Sequence, residues 1–132
     1  MDAVRTAIMN NRFNAIVEEA SAAVYRTAHT TFVKLVQDYQ CALATADGDM
    51  FAYPMMSGVN VFIGAPLRPT LDAIGRENLK PGDIIITNDP FGTDGLVTHL
   101  MDITLLYPIF REDKLIAVGW SFVHASDIGG AV

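Results

Sequence analysis

Between Val4 and Leu35 the apolar residues Val4, Ile8, Ile16, Val17, Ala20, Val24, Phe32 and Leu35 recur at steps that mostly combine threes and fours, the spacing of one helix face. Asn10, Arg12, Glu18, Glu19 and Arg26 fill the positions between. The pattern predicts a long amphipathic N-terminal helix, or two helices with a break around Thr27 to Thr31, where polar and β-branched residues lower helix propensity. His29 falls in this region and reads as a packed or solvated helical residue. The apolar stripe is longer than a small core requires, which points to docking against another subunit.

Beyond Asp38 the period changes. "YQCALATADGDMFAYP" places apolar residues on both sides of Asp47-Gly48, a strong hairpin signal. "MMSGVNVFIGAP" reads as a short strand ended by Gly64 and Pro66. "LRPTLDAIGRENL" predicts a short helix, with Pro69 in an early turn, Thr70 or Asp72 as cap and Gly75 limiting its far end. The three consecutive isoleucines of "KPGDIIITNDP" predict a strand buried on both faces, stopped by the turn Asn88-Asp89-Pro90. "DITLLYPIF", "REDK" and "LIAVGWSFVHA" form a second hairpin with a charged tip. The fold class is therefore α+β: a helix followed by a mostly antiparallel sheet built of hairpins.

Length and composition narrow this picture. A chain of 132 residues holds one core, so residues 1–132 are expected to form a single domain. Apolar residues make up 51% and charged residues only 18%, which implies apolar surface covered from outside the chain. No apolar run approaches the roughly 20 residues of a membrane span, and the N-terminus lacks the apolar segment and cleavage site of a signal peptide. The net charge of −6, with Lys and Arg scattered, argues against a nucleic-acid partner. The single cysteine, Cys41, fits a reducing compartment and a cytoplasmic location, and its strand context makes it a packed thiol rather than a nucleophile.

Two of the three histidines, His99 and His124, are each followed three residues later by an aspartate, Asp102 and Asp127. Imidazole nitrogen with carboxylate oxygen is a ligand set for Zn, Mn or Fe. On a regular strand residues three apart face opposite ways, so His99 and Asp102 can share an ion only where residues 98–101 form a loop or bulge. The glycine-bearing approach "FGTDGLV" suits that. With eleven aspartates in the chain, one such pair is a weak signal and two at linked strand ends a stronger one. Asp127, ahead of Gly129-Gly130, serves equally as a turn-forming residue. "SDIGGAV" lacks the later glycine, lysine and hydroxyl of a P-loop.

The segments "NRFNAIVEEASAAVYRTAHTTFVKLVQDYQCALATADGDMFAYP", "IGAP", "LKPGDIIITNDPFGTDGLVTHLMDITLLYPIF" and "SFVHASDIGG" resemble, in order and separation, the N-terminal region of the hydantoinase B / oxoprolinase family. The resemblance covers nearly the whole chain. It implies a subunit working beside an ATP-binding A-type subunit, which phosphorylates a carbonyl or amide oxygen or bicarbonate. The B-type subunit would carry a divalent metal (Zn, Mn or Fe), with ATP on the partner. Carried over by position, the implied ligands are Asp38, His99, Asp102 and His124, and Asp127, Asn88 and Asp89 would support them from outside the ligand set. Asp38 has no spacing signal of its own. The chain departs from the family in having Ala125 beside His124, Met101 where proline is usual, and Gly58 and Phe62 where histidines are common, changes that bear on substrate class.

The resemblance thus implies the metal-bearing front of an ATP-dependent enzyme that hydrolyses a cyclic amide such as a hydantoin, oxoproline or lactam. The alternatives are part of an ATP-dependent ketone carboxylase, or a non-catalytic portion serving subunit interaction. Expected partners are the A-type subunit, the remainder of the B-type subunit and a small-molecule substrate, in a hetero-oligomer. Family members are longer, so either the chain is truncated or the remainder is a separate polypeptide; alone, these residues are expected to be inactive.

Overall fold

The computed structural model describes residues 2–130. Ala131 and Val132, the end of the glycine-bearing tail, lie outside the described residues, as does Met1. The first element is helix α1, Ala3–Thr27, opened by Asp2, whose carboxylate accepts from the Val4 amide. Residues 28–30 are non-helical, and His29 is exposed there rather than carried on a helix. A wide helical turn, Phe32–Val36, follows and ends at Gln37, whose φ of 58° is left-handed. The Phe32 carbonyl accepts from both the Gln37 and Asp38 amides, and this closure delivers Asp38 to the start of the sheet.

Five antiparallel strands make the sheet: β1 (Tyr39–Thr45), β2 (Met50–Ala52), β3 (Ile85–Thr87), β4 (Asp102–Arg111) and β5 (Lys114–His124), in the order β2-β1-β5-β4-β3. A helix with an antiparallel sheet is the α+β class the sequence predicts. The Asp47-Gly48 turn joins β1 to β2. Gly48 is required there, because its φ is 93° and a Cβ would lie 2.7 Å from the Arg68 amide nitrogen.

Alternation along the strands builds the core. Ala42, Ala44, Leu106, Val118, Trp120 and Phe122 share one sheet face and pack against Leu67, Leu71, Leu79 and Leu96 from helix α2 (Arg68–Ile74) and the surrounding loops. Helix α2 has Pro69 in its first turn and Gly75 at its end, as read from the sequence, but neither Thr70 nor Asp72 caps it: Leu67 occupies the cap position without a side-chain bond. Helix α1 packs on β1 and β2.

Two strand expectations are corrected. Residues 55–66 form bends and turns rather than a strand. Gly58 there has φ 73°, and a Cβ would approach the Tyr39 carbonyl to 2.3 Å, so the segment turns close against the start of β1, where the Val59 amide donates to that carbonyl. The triple isoleucine does not make a strand buried on both sides. β3 is an edge strand bonded to β4, and Ile84 and Ile86 are 63% and 67% exposed, because α1 lies at the other end of the sheet.

Candidate metal centre

The cluster forms where β4 starts and β5 ends. Asp102 and His124 are direct partners in the antiparallel register, so their side chains share one face. His99 reaches them from a turn: residues 98–101 are non-strand, and the Asp102 amide donates to the His99 carbonyl at 2.9 Å. The loop that a shared His-x-x-Asp site requires is thus present.

Asp102 is the hub, with its residue only 2% exposed. One carboxylate oxygen lies 2.8 Å from His124 Nδ1, and the other lies 3.2 Å from His99 Nδ1. The second oxygen also accepts from the His99 amide at 3.1 Å and the Thr98 hydroxyl at 3.3 Å. Burial pushes the Asp102 carboxyl up, but the hydrogen bonds from the His124 ring, the His99 amide and the His99 ring, with the nearby His124 charge, hold it below its ordinary value. The carboxylate is the form in which it acts as ligand or acceptor.

Asp38 joins from the start of β1. Its carboxylate is 3.6 Å from His124 Nδ1, and its backbone carbonyl accepts from the His124 amide at 3.0 Å. Donor atoms of His99, Asp102 and His124 all fall within 4.8 Å of one another. Asp38 flanks that group through His124 rather than lying within it. Metal bonds of about 2.0–2.2 Å to nitrogen and oxygen set ligand-to-ligand edges of about 3.0–3.4 Å. The Asp102 spacings of 2.8 and 3.2 Å lie near those edges, while the group as a whole extends to 4.8 Å, so the donor set fits a divalent ion in chemistry and is more open than a closed coordination shell.

The surrounding residues hold the cluster in place. Asn88 donates to the Leu100 carbonyl at 2.8 Å and so braces the loop that carries His99. Asp89 turns back on its own loop, accepting from the Phe91 amide and the Thr93 hydroxyl. Asp127 lies in the segment after β5 and accepts from the Gly129 amide at 2.7 Å, a turn-forming bond. The Phe32 ring packs on the His124 imidazole with centroids 4.6 Å apart.

Sequence reasoning missed Gln40. It is fully buried, its side-chain amide donates to the Ser57 carbonyl and the Asn60 side chain, and its carbonyl accepts from the Cys41 amide. These bonds tie the loop around Val59 to the strand that follows Asp38. A glutamine at a core-facing strand position was the available signal. Cys41 itself is buried, and burial pushes its thiol up to about 12, in keeping with a packed rather than nucleophilic cysteine.

The profile of the hydantoinase B/oxoprolinase family matches residues 2–132. The chain belongs to this family. It is 36% identical to 5-oxoprolinase 1 of Arabidopsis thaliana over 98% of its length, which corresponds to 10% of that protein. Two solved structures share the fold. The ATP-dependent caprolactamase from Pseudomonas jessenii aligns over all of this chain and 22% of its own, with a TM-score of 0.78 and 23% identity. A nucleotide-free acetone carboxylase aligns over 93% of this chain and 17% of its own, with a TM-score of 0.74 and 24% identity. This hydantoinase B/oxoprolinase family chain spans about a tenth of the length of the first curated relatives it matches. No helix among the described residues is long and apolar enough to cross a membrane.

Proposed function

We propose that residues 1–132 are one domain, the metal-bearing front of a hydantoinase B-type subunit, which with an ATP-binding A-type subunit hydrolyses a cyclic amide through a phosphorylated intermediate. The observation that carries the reading is the convergence of His99, Asp102 and His124, two chain segments meeting at one buried carboxylate. Asp38 is the fourth ligand, beside His124. A divalent ion held there, Zn, Mn or Fe, would supply Lewis acidity toward a carbonyl oxygen or a bound water.

The chain's own residues do the rest. Asp102 fixes the orientation of both imidazoles through its two oxygens, and Phe32 limits the rotation of His124. Asn88 keeps the His99 loop close to the end of β5, and Asp89 and Asp127 shape the turns on either side. The ATP chemistry is assigned to the A-type partner. Further partners are the remainder of the B-type subunit and the small-molecule substrate, in a hetero-oligomer; a cytoplasmic setting suits the buried free thiol of Cys41. Hydrolysis is favoured over ketone carboxylation because the relatives above 30% identity that carry an enzyme name are 5-oxoprolinases, whereas the likeness to acetone carboxylase is one of fold.

The test is reconstitution of the full B-type subunit with its A-type partner, following ATP consumption and opening of a cyclic amide. His99→Ala and His124→Ala are each expected to lower turnover by at least about 100-fold, as loss of a metal ligand does. Undiminished turnover in both variants would remove the assignment.

A further inference from the structure

Strand β2 pairs with Leu43 and Ala44 of β1 and does not reach Tyr39 or Gln40. Residues 57–60 take its place beside the start of β1. The Val59 amide donates to the Tyr39 carbonyl at 3.0 Å, and the Gln40 side-chain amide donates to the Ser57 carbonyl at 3.2 Å and to the Asn60 side-chain oxygen at 2.8 Å. The Gly58 amide donates to the Gln37 side-chain oxygen at 3.3 Å. Each of these tethers ends on a residue within two positions of Asp38.

Helix α1 holds the same segment from its other side. Ser21 is fully buried, with its hydroxyl 2.6 Å from that of Ser57 and 3.4 Å from the Tyr39 hydroxyl. Glu18, three residues earlier and so on the same helix face, accepts from the Met55 amide at 3.1 Å. The segment is thus pinned between α1 and residues 37–40.

The pinned stretch leads into the candidate centre. Gln37 is left-handed, an uncommon conformation for a residue with a Cβ, and the Tyr39 amide closes back onto its carbonyl at 2.9 Å. Asp38 sits inside that tight turn. Its amide donates to the Phe32 carbonyl and its carbonyl accepts from the His124 amide, both at 3.0 Å. A shift of residues 37–39 therefore moves the Asp38 carboxylate relative to His124 Nδ1, 3.6 Å away. Val59 and Asp38 also line one cavity together with His99 and Asp102.

We propose that residues 57–60 are a positioning clamp for Asp38: through Gly58 and Gln40 they keep the turn at Gln37 closed and so set the Asp38 carboxylate beside His124. This rests on the reading of Asp38 as the fourth ligand and deepens it. Gly58 and Gln40 are positioning residues, which act on the centre through Asp38.

Two variants loosen the clamp in different ways. Gly58→Ala drives a Cβ into the Tyr39 carbonyl, and Gln40→Leu removes the two side-chain bonds to the segment. Gly82→Ala, in the turn before β3, is the control: its φ of 93° imposes a similar backbone strain, but a Cβ there meets nothing within 4 Å. Asp38→Asn reports on the ligand itself. Zn²⁺ affinity is measured on the purified, folded proteins by competition with a chromophoric chelator, and hydrogen exchange of the Asp38 and His124 amides is measured without metal.

Both clamp variants are expected to bind Zn²⁺ at least about tenfold more weakly than the parent and to exchange those two amides at least about tenfold faster, with Gly82→Ala matching the parent. Parent-like exchange in a folded clamp variant overturns the inference, and so does an equal loss of Zn²⁺ affinity in Gly82→Ala. Parent-like Zn²⁺ affinity in the clamp variants overturns it as well if Asp38→Asn lowers that affinity. Faster exchange in the clamp variants alone, with Zn²⁺ affinity unaltered by Asp38→Asn or with no Zn²⁺ bound by the parent, instead counts against the ligand reading and leaves the clamp standing.

Discussion

At Asp102 burial and hydrogen bonding act on one carboxyl in opposite directions, and the hydrogen bonds win. Its folded-state value lies below the ordinary 3.8, so its bonds to His99 and His124 stabilise the fold fully above that value. The contribution is lost as pH falls through the lower folded value. In metal-free protein, urea denaturation followed from pH 6 downward should therefore show Asp102→Asn less stable than the parent, with the gap closing in acid. A gap independent of pH would contradict the assignment. The two His-x-x-Asp strings made His99, Asp102 and His124 legible in the sequence. Their symmetry was misleading, because Asp127 bonds the Gly129 amide while Asp102 serves both histidines. Asp38 could not be found by spacing, since its place beside His124 comes from the pairing of β1 with β5 rather than from sequence neighbours.

Strand β1 shows what an element adds. Its core-facing side carries Gln40, Ala42 and Ala44 and its other side Cys41, so one strand anchors a loop, fills the core and hides a thiol. Gln40→Leu leaves the Ser57 carbonyl and the Cys41 amide without their side-chain partners. It is expected to cost about 1–3 kcal/mol and to raise hydrogen exchange in residues 57–62, whereas a stability within error of the parent would show the bonds to be replaceable. Cys41, with its thiol raised to about 12 by burial, should resist a maleimide in the native state and react on unfolding. Rapid native labelling would show β1 to be more open than described. The strands with polar alternation or an Asp-Gly turn were readable locally. The triple isoleucine was not, because exposure of Ile84 and Ile86 depends on which part of the sheet α1 covers. The segment at 55–66 was misread for a similar reason: the close approach of Gly58 to the Tyr39 carbonyl is a tertiary constraint that apolar content does not reveal.

In the whole molecule, the site stands at one end of the β4-β5 pair, and the core stands behind it. Leu106, fully buried at the centre of β4, is a check on that arrangement: Leu106→Ala should cost about 2–5 kcal/mol. Apolar side chains remain exposed on α1, at Val4, Ile8 and Ile16, and on the sheet edge, at Ile84 and Ile86. Of these, Ile16 and Ile84 line a groove of about 330 Å³ between α1 and the sheet, with Val24 and Tyr107 among others. The apolar-rich composition made such surface legible in advance, although not its position. Elemental analysis of the purified protein decides whether His99, Asp102 and His124 hold one divalent ion. The parent is expected to retain about one ion per chain, and a folded His99→Ala/His124→Ala double variant almost none. Equal metal content in the two proteins would rule out these histidines as the ion's ligands.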